Sequence, residues 1–233
     1  MDDYEQLIAR LEPGTLLRAL APQQLEDLLA RSTRVDLKRG QTIIEQGDEN
    51  GDFAVFILSG TVKVSMVSAT GREIILSYSS AGDVVGEIAM LDQQPRTATV
   101  SATEPTSVLV IPSSAFQAAA LANPASMAGV MRALASRVRQ LNLVVESDRT
   151  FSMAPRLARA LVRLLDPADP DGRRLRLYPS QSDLGAFAGI ARENVSRLMS
   201  DWEERGIVRR SDRALEIVDR EYLELLAEFG AEE

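Results

Sequence analysis

The sequence predicts an α+β protein: a jelly-roll-like β-barrel, then one long central helix, then a small C-terminal domain of helices with a β-hairpin. Three observations predict it. Val35 to Pro112 is rich in Val, Ile and Thr in short runs, the stretch after Pro112 turns to a helical period, and a second set of helical patterns follows a break at Thr150 to Pro155. With 233 residues, 45% of them hydrophobic, the chain is comfortable for two domains, each with apolar surface for its own core. The expected divisions are a β-roll over 1–125, a central helix and hinge over 126–152, and a C-terminal domain over 153–233.

Taken in order, Ala21 to Ser32 (APQQLEDLLARS) places Leu25, Leu28 and Leu29 at helical spacing with Pro22 in the first turn, which predicts a short lead-in helix. The runs TIIEQ, FAVFILS, TVKVSMV, EIILSYS, ATVSA and SVLVI follow. Gly47, Gly60, Gly71 and Gly82 punctuate them at spacings of 13, 11 and 11, the mark of short antiparallel strands in a sandwich or barrel. Next, Met127, Met131, Leu134, Val138, Leu141, Val145 and Asp148 recur at alternating steps of 4 and 3, and six of the seven are apolar. Such a seam suits pairing with a copy of itself, so a homodimer is expected; the alternative is a helix packed on its own β-roll. PRLARALVRLL starts a new amphipathic helix, DPADPDGRR is a loop, and RLRLY is expected to be a short strand.

Composition excludes whole classes of chemistry. The chain has no Cys and no His, so disulfides, thiolate-held iron-sulfur clusters, zinc fingers and Ser-His or Cys-His catalytic pairs have no ligands or bases to use. No enzyme, metal, haem or iron-sulfur cofactor is expected. The N-terminal MDDYEQLIARLEPG is acidic without an apolar core of its own, and no run approaches the roughly 18 to 20 apolar residues of a membrane span, so a cytoplasmic protein without a membrane partner is expected. A net charge of −8 opposes binding to polyanions, yet Met153 to Val218 holds twelve Arg against ten acids.

One β-rich segment stands apart: VGEIAMLDQQPRTATVSA, beginning at Val85. Gly86 permits close backbone approach, and Glu87, Ile88 and Ala89 open a helical turn whose free N–H groups face an anion. Arg96 offers a planar fork for phosphate, Thr97 a hydroxyl donor, and Glu87 an acceptor for hydroxyls. An anion plus a diol describes a ribose phosphate; a Glu87–Arg96 ion pair in an empty pocket is the alternative. The segment resembles the phosphate-binding cassette of cyclic-nucleotide-binding domains. The resemblance implies that Gly86, Ile88 and Ala89 border the cyclic phosphate, that Glu87 accepts from the ribose 2′-hydroxyl, and that Arg96 and Thr97 hold phosphate oxygens.

Further on, Ser180-Gln-Ser-Asp183 is close to a helix capping box, Leu184, Ala188 and Ile190 supply apolar contacts, and Gly189 lies near a turn. A second helix from about Ala191 puts Val195, Leu198, Met199 and Trp202 on one face and Arg192, Glu193, Ser196 and Arg197 on the other. Arginine forks suit guanine O6/N7 and a glutamate suits cytosine N4; Glu193 and Arg197 also stand at i, i+4 and are expected to orient each other. After Gly206, IVRRSDRALEIV reads as two strands and a polar turn, the wing of a winged helix-turn-helix, with Arg209, Arg210 and Arg213 able to reach phosphates.

The tract GIARENVSRL resembles the recognition helix of the cAMP receptor protein and fumarate-nitrate-reductase (CRP/FNR) regulator family, and the order of cassette, helix seam and wing extends the resemblance over nearly the whole chain. It implies a dimeric transcription factor on double-stranded, pseudo-palindromic DNA, with RNA polymerase as a partner. Arg192, Glu193 and Arg197 would read bases, with Ser182 on a phosphate. The effector it implies is a cyclic nucleotide, cAMP or cGMP. In cAMP-responsive members the central helix offers hydroxyls to the base, whereas the matching places here are Leu141 and Asn142, of which only Asn142 can hydrogen-bond. Base identity therefore stays open, as do a regulator of the same architecture that needs no ligand or responds to a non-nucleotide one, and a cyclic-nucleotide-binding regulatory subunit acting on a partner protein.

Overall fold

The computed structural model describes Leu11, 16–166, 169–211 and 214–230, excepting the side chains of 137, 140, 143–144 and 146–150. Arg213 of the expected wing turn and the Asp148 side chain of the expected seam fall outside that description. The chain forms two compact units that divide between Leu141 and Asn142.

In the first unit a 3-10 turn at Leu17–Ala19 precedes helix α1 (Pro22–Ala30). Pro22 needs no N–H partner at the start of a helix, and the Ala21 N–H donates to Gln24 Oε1 at 3.0 Å. Eight strands follow: β1 (Thr33–Leu37), β2 (Thr42–Ile44), β3 (Phe53–Ser59), β4 (Thr61–Val67), β5 (Glu73–Ser80), β6 (Val84–Val85), β7 (Thr99–Ala102) and β8 (Thr106–Pro112). They make two antiparallel four-stranded sheets, ordered β1-β8-β3-β6 and β2-β7-β4-β5. This is the double-sheet roll the runs of β-branched residues predict.

Strand β3 explains why one run is apolar without alternation. Val55 and Ile57 point into the core between the sheets with Val62, Val100 and Val108, while Ala54 and Phe56 point the other way, into a core with Leu17, Leu25, Leu28 and Phe116. Both faces of the strand are covered, so residues 54–57 are all buried. The second core needs a helix the sequence reading did not separate from the central one: α3 (Ser113–Leu121), which buries Ala115, Phe116, Ala119 and Ala120. Between β6 and β7 the chain forms α2 (Glu87–Asp92), a six-residue helix rather than a single turn. Helix α4 (Pro124–Thr150) runs through 27 residues.

The second unit contains α5 (Met153–Arg163), α6 (Gln181–Ala188), α7 (Arg192–Glu204), β9 (Val208–Ser211), β10 (Ala214–Ile217) and α8 (Arg220–Phe229). Helix α5 packs on α6 and α8 through Leu157, Ala158 and Leu161, each at most 1% exposed. One expectation fails here. RLRLY is not a regular strand: it makes only single bridges, Leu165 to Leu175 and Arg174 to Glu216, because no neighbouring segment runs alongside it for more than a residue. Helix α8 was not anticipated, although EYLELLAEF carries helical spacing; Asp219 caps it by accepting from the Tyr222 N–H at 3.0 Å. Among the described residues no helix is long and apolar enough to cross a membrane.

Candidate effector and nucleic-acid sites

The cassette is organised around a buried cation. Gly86 lies at φ 79°, a left-handed conformation that favours glycine, and a Cβ there would sit 2.5 Å from Ile44 Cδ1 and 3.2 Å from Arg96 Nη1, so a side chain would also have to displace the end of Ile44. Its carbonyl accepts from Arg96 Nη1 at 2.8 Å; Arg96 Nε donates to the Asn50 carbonyl and Nη2 to the Phe53 carbonyl, also at 2.8 Å. Arg96 is 3% exposed, and burying a charge without such partners costs several kcal/mol, on the order of the full penalty of an isolated ion. Burial lowers its pKa, and the nearby charges of Asp48 and Asp52 push the other way; an arginine stays protonated under either influence. The backbone seals the arrangement, because Gly47 N–H donates to the Arg96 carbonyl and Arg96 N–H to the Asp48 carbonyl, both at 2.8 Å.

Around this cation the expected site residues fall as follows. Glu87 is buried at the start of α2, Ala89 is buried one residue beyond Ile88, and Ile88 and Thr97 are exposed. Gly86, Glu87 and Arg96 are thus neighbours in space as well as in the motif. Asn142 is exposed on α4, at the first residue of the second unit. A guanidinium has five N–H donors; three of them meet carbonyls here, which leaves one on each Nη. That capacity, in a buried cation beside a buried carboxylate, fits a cyclic phosphate with its ribose hydroxyl.

The output surface is built by α6 and α7. Ser180 Oγ accepts from the Asp183 N–H at 3.1 Å and donates to Asp183 Oδ2 at 2.8 Å, the cap foreseen from the sequence. Gly189 ends α6 at φ 70°, a left-handed stop that sets the turn into α7. Arg156 was not singled out by sequence reasoning, yet its Nε and Nη2 donate to the carbonyls of Ala188 and Gly189 at 3.1 and 2.8 Å, which fixes that turn. Helix α7 buries Val195, Met199 and Trp202, and this leaves Arg192, Glu193 and Arg197 exposed with Ser196 half-buried between them; Ser182 is exposed on α6. The expected Glu193–Arg197 pairing is replaced by a contact of Arg197 Nη2 with Asn194 Oδ1 at 3.4 Å, since the shorter amide lies one turn back at i, i+3.

In the wing, Arg209 pairs with Glu216 across β9 and β10 at 2.9 Å and its side chain is 68% exposed. Arg210 is turned inward: its Nε donates to Glu203 Oε2 at 2.8 Å, its Nη2 reaches the same oxygen, and its N–H meets Glu203 Oε1. These bonds hold the Glu203 carboxyl below its usual range and the Arg210 guanidinium above its own. Arg209 is therefore exposed to solvent, whereas Arg210 braces the wing to α7.

A β-roll carrying a phosphate-type cassette, followed by a helix-turn-helix and wing, defines a small-molecule-sensing DNA-binding regulator. The comparisons agree. The cyclic nucleotide-binding domain model matches residues 34–123 and the Crp-like helix-turn-helix domain model matches 155–226, together more than two thirds of the chain. The chain is 27% identical over 223 residues to a CRP-like cAMP-activated global transcriptional regulator of Mycobacterium tuberculosis, covering 94% of this chain and 97% of the relative. It is 28% identical to the cyclic AMP receptor protein of Thermus thermophilus, covering 94% and 99%. The structure of FixK2 from Bradyrhizobium japonicum superposes with a TM-score of 0.74 over 86% of this chain and 99% of that one, at 22% identity, which speaks to the fold. This protein belongs to the CRP/FNR family of transcriptional regulators, which are DNA-binding proteins and not enzymes.

Proposed function

We propose that this regulator is a cytoplasmic homodimer whose affinity for a pseudo-palindromic DNA site is controlled by cAMP or cGMP bound in the β-roll, and that it acts through RNA polymerase. In this reading the sensor spans 1–125, the pairing helix and hinge 126–152, and the DNA-binding domain 153–233. The observation that carries it is the division of α7: Val195 and Trp202 are 0% exposed, while Arg192, Glu193 and Arg197 on the other side face solvent. Such a helix, seated on its own domain, has forked donors and a carboxylate free for base edges.

Within the cassette, Arg96 and Thr97 hold the phosphate, Gly86, Ile88 and Ala89 border it, and Glu87 accepts from the ribose 2′-hydroxyl; outside it, Asn142 on α4 is the residue proposed for the base. The bound nucleotide supplies a negative charge and one free ribose hydroxyl; the protein supplies a fixed guanidinium and a buried carboxylate. Two relatives whose names include cAMP support that nucleotide, and Leu141 in place of a hydroxyl residue supports keeping cGMP beside it. Dimerisation is supported by the exposure of Met131, Leu134, Val138, Leu141 and Val145 along α4. On the DNA, Arg192, Glu193 and Arg197 meet bases, with Ser196 beside them on the same face, and Ser182, Arg209 and Arg210 meet phosphates, Arg210 while its Nε and Nη2 hold Glu203. Calorimetric titration of the full chain with cAMP and with cGMP tests the effector: saturable binding that Arg96→Ala abolishes supports it, and no heat from either nucleotide refutes it.

A further inference from the structure

Phe53 begins β3, opposite Pro112 in the β3–β8 register, and packs by its ring against the core between the two sheets. The Arg96 guanidinium carbon lies 4.4 Å from the centroid of that ring. The same residue's carbonyl accepts from Arg96 Nη2 at 2.8 Å. Phe53 therefore touches the cation twice, once through its π face and once through its backbone, and it is itself held by a strand pairing and by core contacts. A guanidinium stacked on a fixed ring keeps its plane, while hydrogen bonds to the Asn50 and Gly86 carbonyls fix its rotation within that plane.

We propose that Phe53 is a positioning residue of the effector site: its ring sets the plane of the Arg96 guanidinium, so that the N–H groups left on Nη1 and Nη2 are oriented before an anion arrives. This rests on the reading that Arg96 holds the cyclic phosphate. A fork oriented in advance loses less freedom on binding than one that must be found among rotamers. A leucine at the position fills comparable space on the core side and leaves the carbonyl in place, yet it offers no π face. A tyrosine keeps the face.

The test uses the full chain as wild type, Phe53→Leu and Phe53→Tyr, each shown folded by an unchanged near-ultraviolet circular dichroism spectrum apart from the substituted ring. Two quantities are read: cAMP and cGMP affinity by calorimetry, and the Arg96 Nε–H resonance by NMR. Phe53→Leu is expected to weaken nucleotide binding by about 2- to 30-fold, the range of a cation–π contact from exposed to desolvated, and Phe53→Tyr to restore it. The Arg96 Nε–H is expected to carry a ring-current shift in wild type and Phe53→Tyr and to lose it in Phe53→Leu. If wild type binds neither nucleotide, the effector reading fails, and the Nε–H signal still decides whether the ring fixes the guanidinium. Equal affinities and an unmoved Nε–H signal in Phe53→Leu overturn the proposal.

Discussion

A guanidinium that is 3% exposed must find acceptors inside the protein, and Arg96 finds three backbone carbonyls. Removing it takes one donor from each of those carbonyls, so Arg96→Ala is expected to lower folding stability by about 1–3 kcal/mol for each one left buried without another partner, read by chemical denaturation, besides abolishing nucleotide binding. Arg96→Lys, a point charge without the fork, is expected to recover stability in part and binding little. At Gly86, alanine is expected to cost about 1–2 kcal/mol for the left-handed backbone, plus the displacement of Ile44. On α7, losing Arg192 or Arg197 is expected to cost about 1–3 kcal/mol at one base pair, whereas losing Arg209 weakens all sequences alike and reduces the salt slope by about one; binding to a set of single-base operator variants at several salt concentrations separates the two roles. The grouping of Gly86, Glu87 and Arg96 was legible in the sequence because a glycine that allows close backbone approach, a carboxylate and a guanidinium recur there within one short motif. The Arg96 acceptors were not, because the direction of a backbone carbonyl has no residue code, and Phe53 looked like one more apolar residue in FAVFILS.

Helix α4 displays on its surface the apolar line that the steps of 4 and 3 described. Its residues Val138 and Leu141 are 56% and 52% exposed in the single chain, and at about 25 cal/mol per Å2 such side chains gain by burial against a twin. Val138→Asp or Leu141→Asp is accordingly expected to halve the sedimenting mass, and an unchanged mass would show that the seam pairs with nothing. At the wing, the Arg210 hydrogen bonds depress the Glu203 pKa, so their contribution is complete above the unfolded value of about 4.3 and fades as pH falls through the lower folded value. Glu203→Gln should thus loosen β9 and β10 at neutral pH and change little in strong acid, as amide exchange of those strands would report. Strands were readable where β-branched runs met turn glycines. RLRLY misled because alternation describes a strand's faces without supplying a neighbour, and α8 was missed where a helical pattern followed the hairpin directly.

At the scale of the molecule, the sequence contained the order of parts but not their coupling, which depends on free-energy differences between whole arrangements. Ligand control requires that the nucleotide bind more tightly to the arrangement that fits DNA, with a coupling of about 1–3 kcal/mol, or about 5- to 150-fold in affinity. By reciprocity, operator DNA must tighten nucleotide binding by the same factor. The most direct measurement is the affinity of the full-length protein for operator duplexes selected from a random pool, taken at fixed salt without nucleotide and at saturating cAMP or cGMP. The account predicts a rise of at least about 5-fold with one of the two, absent in Arg96→Ala. Identical affinity under all three conditions, or no preference for any duplex sequence, would contradict it.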